Sequence, residues 1–193
     1  MANRNTSGFG LISAGTVGST PATQGQGKYY IDAAYDKSLY QGTVVQSKVG
    51  YMKVGQNAIT DYTIGVLNGI FYNAATTLKP TWANHYAQPI TPANSENIQA
   101  FVNDYPFQEY VVSTDAAVAR AGFFETYECF TNTGGTDATG VSSTTLNIGG
   151  TDVKTYQWRL IREAEDPENQ DITAAYCSVI VVQSTNQIVT QTT

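Results

Sequence analysis

The sequence predicts an all-β protein, an antiparallel β-barrel or β-sandwich with at most one or two short helices. β-Branched residues dominate its aliphatic side chains, with 26 Thr, 16 Val and 12 Ile against 6 Leu. The 13 Tyr and 7 Phe act in the same direction, because β-branched and aromatic side chains pack well on a pleated sheet. Glycines also interrupt the chain at short intervals, as turns between short strands do. The 193 residues suffice for one domain or two small lobes.

Residues 1–27 are predicted to form an extended N-terminal arm that precedes the β domain. They include six glycines, seven Ser or Thr and a single charge, Arg4. Such a segment buries too little apolar surface to offset its ordering entropy. A plain linker would not need the four large apolar side chains found here: Phe9, Leu11, Ile12 and Val17. The composition of the arm alone leaves open what these four side chains contact.

The β domain, residues 28–193, begins with a strand and a turn in KYYIDAAYD, followed by short strands broken at glycines. The dipeptide Asn68–Gly69 is typical of a type I′ hairpin, but the short flanks make a β-bulge equally consistent. Residues 79–92 contain three of the six prolines and are predicted to be a loop. The domain is either one barrel or two lobes divided near residue 92.

The later part of the chain contains the one plausible short helix, residues 115–121. Ser113 or Thr114 could cap it, and Gly122 could end it. A loop rich in Gly, Thr and Ser follows at residues 131–144. Further on, TYQWRLIRE alternates between apolar and polar residues, and TAAYCSVIVVQ is apolar on both faces. The second of these segments is predicted to be a central strand covered on both sides.

The charge pattern argues against two classes of partner. The net charge is −6 and the ten Lys and Arg are scattered, whereas binding to nucleic acid or to an anionic membrane needs clustered basic residues. No apolar run is long enough to span a bilayer, and the N-terminus lacks the apolar stretch of a secretory signal. Synthesis in a cytoplasm is therefore expected, and Cys129 and Cys177 are expected to be buried free thiols, although a bridge between them is possible.

Catalytic and metal-binding patterns are weak, and we predict no enzyme activity and no cofactor. The single histidine, His85, lies in the proline-rich loop, and neither cysteine has an activating context. The acidic run at residues 163–168 lacks the spacing of a calcium loop and is interpreted as a solvated turn. The remaining candidate is the aromatic cluster of Trp82, His85 and Tyr86, which could plug the core, form an interface or stack on a sugar.

The order of several motifs resembles a known family. GFGLISAGTVGS, GKYYIDAAYDKSLYQGTVVQ, IGVLNGIFYN and VNDYPFQEYVV occur in that order, and GTDATGVSSTTLNI and AAYCSVIVVQSTNQ follow. This series, which covers most of the chain, resembles the capsid decoration or cement proteins of tailed bacteriophages, of the marine and cyanobacterial type. These motifs are spacings of Gly, Tyr and β-branched residues and include no catalytic signature.

The resemblance implies a virion structural protein, made in the host cytoplasm, that binds the outer surface of the capsid and stabilises the shell. Its partners would be the major capsid protein and further copies of itself, most often as a homotrimer. The residues expected to contact the capsid or a neighbouring subunit are Phe9, Leu11, Ile12, Val17, Trp82 and Tyr86. The first four would anchor the arm, so the resemblance implies that residues before about Lys28 become ordered only in the assembly. The alternative is a carbohydrate-binding or adhesive β-module on a tail or fibre, and a small hydrolase is a third hypothesis.

Overall fold

The computed structural model describes residues 3–18, 25–55, 62–130, 134–149 and 156–189. These residues form antiparallel sheets packed as a sandwich, which confirms the all-β prediction. In chain order the strands are β1 (Ile12–Thr16), β2 (Gly27–Ile31), β3 (Val44–Lys48), β4 (Tyr51–Val54), β5 (Gly65–Asn73), β6 (Pro80–Ala83), β7 (Ile98–Asn103), β8 (Gln108–Ser113), β9 (Thr126–Phe130), β10 (Gly135–Thr136), β11 (Val141–Ser142), β12 (Thr145–Asn147), β13 (Trp158–Glu163) and β14 (Ser178–Gln183). Within the described ranges, the helical segments are two 3₁₀ turns at Ala93–Ser95 and Arg120–Gly122.

The first sheet has the strand order β1-β8-β14-β13-β9-β12. Strand β14 lies between β8 and β13, and its first four residues are buried, as its apolar sequence predicts. Strand β13 alternates as predicted, because Trp158 and Leu160 are buried whereas Arg159 is exposed. The alternation of apolar and polar residues thus predicts burial correctly in β13, and the continuous apolar run predicts it in β14, which is buried on both faces.

The second sheet has the order β2-β7-β5-β3-β4. Strand β6 pairs with residues 70–73 of β5, beyond the part of β5 that pairs with β3. Strand β5 continues through Asn68–Gly69 without turning. Its pairing with β7 shifts by one residue between Leu67 and Gly69. Of the two possibilities at this dipeptide, the β-bulge is the one that forms.

Two hydrophobic clusters use opposite faces of the second sheet. Val44 and Val66 pack with the buried side chains of the first sheet, while their neighbours Val45 and Leu67 belong to a separate cluster. Because adjacent residues of a strand point to opposite faces, the first sheet covers part of one side of the second sheet, and the second sheet's own loops cover the other side. The segments outside the strands contribute four buried residues to the second cluster: Tyr35, Leu39, Ile64 and Tyr86.

The helix predicted at residues 115–121 is wrong for most of its length. The only helical turn there is the 3₁₀ turn Arg120–Gly122. The Asp115 carboxylate accepts the Ile148 N–H at 2.7 Å, and the buried Val118 donates its N–H to the Ile172 carbonyl at 2.8 Å. The Asp115 carboxylate and the Val118 N–H, which a helix would have used locally, are thus bonded to distant segments of the chain. These tertiary hydrogen bonds outweigh the helix-capping residues of the local sequence.

Residues 79–92 are only partly a loop, because Pro80–Ala83 forms strand β6 at the edge of the second sheet. A strand that begins with proline is tolerated at an edge, where no N–H is required. Residue 92 does not separate the sheets, since β6 and β7 both belong to the second sheet. The chain crosses to the first sheet later, in the turn at residues 104–107 between β7 and β8. Residues 135–142 likewise form a small hairpin of β10 and β11 inside the predicted Gly/Thr/Ser loop.

Candidate binding surface

The described part of the arm packs on its own chain, which corrects the expectation that it is ordered only in an assembly. Residues 12–16 are the edge strand β1, paired antiparallel with β8. Leu11 is 3% exposed and belongs to the core between the sheets. Its N–H donates to the Gly42 carbonyl at 3.0 Å. The side chain therefore holds the arm to its own domain, because burial of a leucine is worth about 1.5–3 kcal/mol.

The beginning of the arm is fixed to the turn before β14. The Asn3 side-chain amide donates to the carbonyls of Asp171 and Ala175 at 3.0 and 2.9 Å, and its Oδ1 accepts the Asp171 N–H. The Asn5 N–H donates to Oδ1 of Asn169 at 2.7 Å. These contacts give the acidic turn at residues 163–171 a structural role that its sequence did not indicate.

Glycine is required where the arm crosses the segment before β3. Gly10 has a φ of +77° and Gly42 a φ of +87°. A Cβ on Gly10 would lie 3.0 Å from the Gly42 backbone. Only glycine adopts this conformation at little cost, and two glycines let the backbones approach closely.

The four apolar side chains of the arm are divided between the core and the surface. Leu11 is buried and Phe9 is half-buried, whereas Ile12 and Val17 are 55% and 40% exposed. Leu11 is thus unavailable to a partner, which corrects its assignment as an intermolecular anchor. Ile12 and Val17 remain accessible.

Val17 is part of a small apolar surface that we call the edge patch, formed by Val17, Tyr105 and Phe107. The Val17 N–H donates to the Phe107 carbonyl at 3.0 Å, which places the two residues side by side where β1 ends. Phe107 is 58% exposed and contacts the Tyr105 ring edge to face, with 5.9 Å between ring centres. The edge patch therefore presents apolar side chains on a backbone that the sheet holds in place.

The predicted aromatic cluster does not form a single site. Tyr86 is 1% exposed, and its hydroxyl donates to the Tyr35 carbonyl at 2.8 Å. Burial raises the pKa of Tyr86. His85 is half-buried and stacks on the Tyr40 ring at 5.8 Å. Tyr86 is therefore a core residue, which corrects its assignment as an interface residue, whereas Trp82 is 68% exposed.

Trp82 lies on an exposed part of the second sheet that we call the aromatic face, formed by Tyr30, Phe71, Trp82, Gln99 and Phe101. In the sheet register Trp82 pairs with Phe71, Phe71 with Gln99, and Gln99 with Tyr30, so these side chains share one face across four strands. The indole ring centre is 4.9 Å from that of Phe71 and 5.0 Å from that of Phe101. Tyr30 is 44% exposed at the far end of the row.

The aromatic face continues into a groove along the arm. Phe101 and Asn103 are two apart in β7 and so point to the same side. The groove, of about 480 Å³, has Asn103 in its lining and lies between β1 and the second sheet. Its apolar lining includes Phe9, Ile12 and Val66, and none of its lining residues is charged. We call it the carboxamide groove after its five amide side chains, Gln26, Gln41, Asn68, Asn103 and Gln108.

Two of these groove amides hold the arm in position. The Asn103 amide donates to the Ser13 hydroxyl at 2.7 Å, and the Gln108 amide donates to the Gly15 carbonyl at 2.6 Å. The Gln41 amide donates to Oδ1 of Asn68 at 3.1 Å. The arm is therefore one wall of the groove, and amides of the second sheet and of β8 fix that wall.

Sequence patterning did not single out Phe101, Gln99 or the groove amides. One signal was present, since IQAFVND places Phe101 on the same side of its strand as Gln99 and Asn103. An aromatic residue on the polar side of an alternating strand indicates a ring outside the core, and Phe101 is half-buried there. The groove amides lie far apart in sequence, from Gln26 to Gln108, and only the packing of the sheets brings them together.

The cysteine thiols are not placed for nucleophilic chemistry. Cys129 and Cys177 are both free and buried, as the sequence predicts. Burial raises the pKa of the Cys129 thiol, and it raises that of Cys177 to about 11. A nucleophilic cysteine needs the opposite shift, toward the thiolate.

Comparison with known proteins gives no match: no family model, curated protein or solved structure corresponds to this chain. Among the described residues, no three His, Cys, Asp or Glu side chains lie together in a group that could hold a metal ion. No helix in the same residues has the length and apolar character to cross a membrane.

Proposed function

We propose that this protein is a structural component of a tailed-phage virion, a decoration subunit that binds the outer surface of the capsid without catalytic activity. The resemblance of its motif series to decoration proteins, over most of the chain, supports this role. Its partners would be the major capsid protein and further copies of itself, as a homotrimer.

The observation that carries the proposal is the edge patch. It consists of apolar side chains at the end of β1 and in the adjoining turn before β8, and the arm that carries Val17 is anchored by Leu11, which is buried in the domain. Such a surface can dock without first becoming ordered, so the entropy cost of binding is smaller than for a disordered arm. Burying Val17 and Phe107 on a shell would contribute at most about 1.5–3 kcal/mol each. A modest contribution per copy is sufficient where many copies act on one shell.

The proposal is tested by co-sedimentation of the purified protein with undecorated phage shells. We expect the double variant Val17→Asp/Phe107→Asp to lose retention on shells, because it places two charges in an apolar contact. The matched control is Val49→Asp, since Val49 is 89% exposed in the turn between β3 and β4. Circular dichroism establishes that both variants are folded. If the double variant decorates shells as tightly as the wild type, the edge patch is not the docking surface.

A second measurement addresses location and copy number. Proteomics of purified virions should find the protein at the high copy number of a shell component, and light scattering should give the mass of a trimer, alone or after release from shells. A low copy number typical of a tail part would contradict the decoration role.

The second candidate function is a carbohydrate-binding or adhesive module on a tail or fibre. The specific observation in its favour is the exposed Trp82, whose ring stacks on Phe101 and packs at an angle against Phe71. Exposed aromatic rings beside polar side chains are common in sites that bind small polar ligands. Binding of a sugar and binding to a shell involve different surfaces of this chain and can be tested separately.

A further inference from the structure

We infer that the aromatic face and the carboxamide groove together form one binding site for a neutral oligosaccharide. The inference deepens the second candidate function and rests on it, but it does not depend on where in a particle the protein is located. It assigns the ligand class, the residues on which sugar rings stack and the side chains that bind sugar hydroxyls.

The aromatic face supplies the stacking surface. Phe71 and Phe101 contact the Trp82 ring, so the indole is held in place while 68% of the residue stays exposed. The face of an aromatic ring carries partial negative charge and attracts the weakly positive C–H groups on the apolar side of a sugar ring. A ring that neighbouring side chains hold in place loses little conformational freedom when a ligand stacks on it.

The groove supplies hydrogen-bonding groups that are unused within the described chain. The Gln41–Asn68 bond leaves Oε1 of Gln41 and Nδ2 of Asn68 without a partner among the described residues. The Asn103–Ser13 bond likewise leaves Oδ1 of Asn103 without a hydrogen-bond partner among the described residues. A carboxamide both donates and accepts, and so does a sugar hydroxyl. These three atoms can therefore bind hydroxyl groups without moving the side chains that hold the arm.

The absence of charge in the groove selects the ligand class. No residue that lines the groove is charged. Lys28, which the sheet register places beside Phe101 on the aromatic face, lies outside this lining and has its ammonium group 5.9 Å from the centre of the Tyr30 ring. A carboxylate or sulfate placed in the groove would lose hydration without gaining an opposite charge, which is costly. A neutral sugar loses only hydrogen bonds that the carboxamides replace.

The dimensions of the site indicate more than one sugar unit. The row from Trp82 to Tyr30 crosses three strand spacings, roughly 14 Å, and the groove adds about 480 Å³ beyond it. This volume lies within the usual range for sites that bind small molecules. A chain of several sugar units would stack along the aromatic face and extend into the groove.

The experiment titrates the full-length protein with neutral glucose, mannose, galactose and N-acetylglucosamine oligosaccharides, and in parallel with acidic uronate and sulfated oligosaccharides. Tryptophan fluorescence reports directly on the site, because Trp82 is exposed while the other tryptophan, Trp158, is 1% exposed. We expect a neutral oligosaccharide to change the Trp82 emission and to protect it from a soluble quencher, with calorimetry giving the affinity.

Three variants locate the site. Trp82→Ala and Asn68→Ala should each weaken binding by about tenfold or more. Phe124→Ala is the matched control, since Phe124 is 63% exposed outside both surfaces, and it should bind as the wild type does. Because Trp82→Ala removes the fluorescent reporter, its affinity is measured by calorimetry.

The outcomes distinguish this inference from the decoration role. Sugar binding lost in Trp82→Ala but kept in Val17→Asp/Phe107→Asp supports the site, whether or not the Val17→Asp/Phe107→Asp variant is retained on shells. The inference is overturned if no neutral oligosaccharide binds, if only acidic ones bind, or if Trp82→Ala binds sugar as the wild type does. It is also overturned if Trp82→Ala abolishes shell retention, because the aromatic face would then be a protein-docking surface.

Discussion

Replacing Leu11 with alanine tests whether the arm belongs to the fold of the single chain. Leu11 is 3% exposed in the core between the sheets. It lies beside the close crossing of Gly10 and Gly42, where a Cβ on Gly10 would lie 3.0 Å from the Gly42 backbone. Because the tight backbone crossing limits collapse around the lost side chain, we expect a cost of about 3 kcal/mol, within the usual range for a buried leucine. For a chain of this length, that lowers Tm by roughly 6–12 °C.

The matched control is the next residue, Ile12, which is 55% exposed. Ile12→Ala should cost less than about 1 kcal/mol, the span of strand propensity at an exposed site. Urea titration followed by circular dichroism, on purified protein without shells, gives both free energies of unfolding. If Leu11→Ala and Ile12→Ala leave stability equally unchanged, the arm is not packed in the isolated chain and anchors only in an assembly.

Two further predictions concern the turn between β3 and β4 and the stability at high pH. Val49 has a φ of +56° and precedes Gly50 at φ +81°, the geometry of a type I′ turn, in which valine is strained and asparagine is favoured. Val49→Asn should therefore raise the free energy of unfolding, measured by urea titration, by about 1 kcal/mol. An unchanged or lower free energy of unfolding would show that Val49 is not strained. Burial, with a hydrogen bond to Asp104 and its charge, raises the pKa of Tyr29 to about 12, and burial also raises that of Tyr110. Since an unfolded tyrosine ionises near pH 10, the stability that the neutral tyrosines give the folded state should be complete below about pH 10 and decline toward pH 12. Tyr29→Phe should make the decline of Tm with pH shallower. A wild-type Tm that does not change between pH 10 and pH 12 would refute the reasoning.

The sequence was most informative where the pattern of buried and exposed side chains can be read from a single strand. Alternation in TYQWRLIRE placed Trp158 and Leu160 inward and Arg159 outward, and the apolar run before Gln183 predicted a central strand. It was least informative at residues 115–121, where capping residues indicated a helix. There Asp115 and Val118 hydrogen-bond to segments more than thirty residues away, to Ile148 and Ile172. Local signals cannot register such competition.

The arm shows the same limit for the candidate sites. Its composition marked Phe9, Leu11, Ile12 and Val17 as more than linker residues, and the structure places Leu11 in the core. Which of them faces the core depends on the register with β8, and that pairing joins segments almost a hundred residues apart. The separation of Trp82 from Tyr86 likewise follows from β6 joining the second sheet, which puts one ring outside and the other in the core.

Composition and period-two alternation by themselves determined that this protein is built of antiparallel strands, because β-branched and aromatic side chains favour a pleated surface wherever they occur. The tertiary structure alone decided that the arm is an edge strand, that residue 68 is a bulge, and that carboxamides between Gln26 and Gln108 line one uncharged groove. The physical reason is that a strand exposes its hydrogen-bonding groups to any partner, near or distant in sequence. Which partner it takes is fixed by the free energy of packing the whole sandwich, and that pairing then decides which side chains meet at its surface.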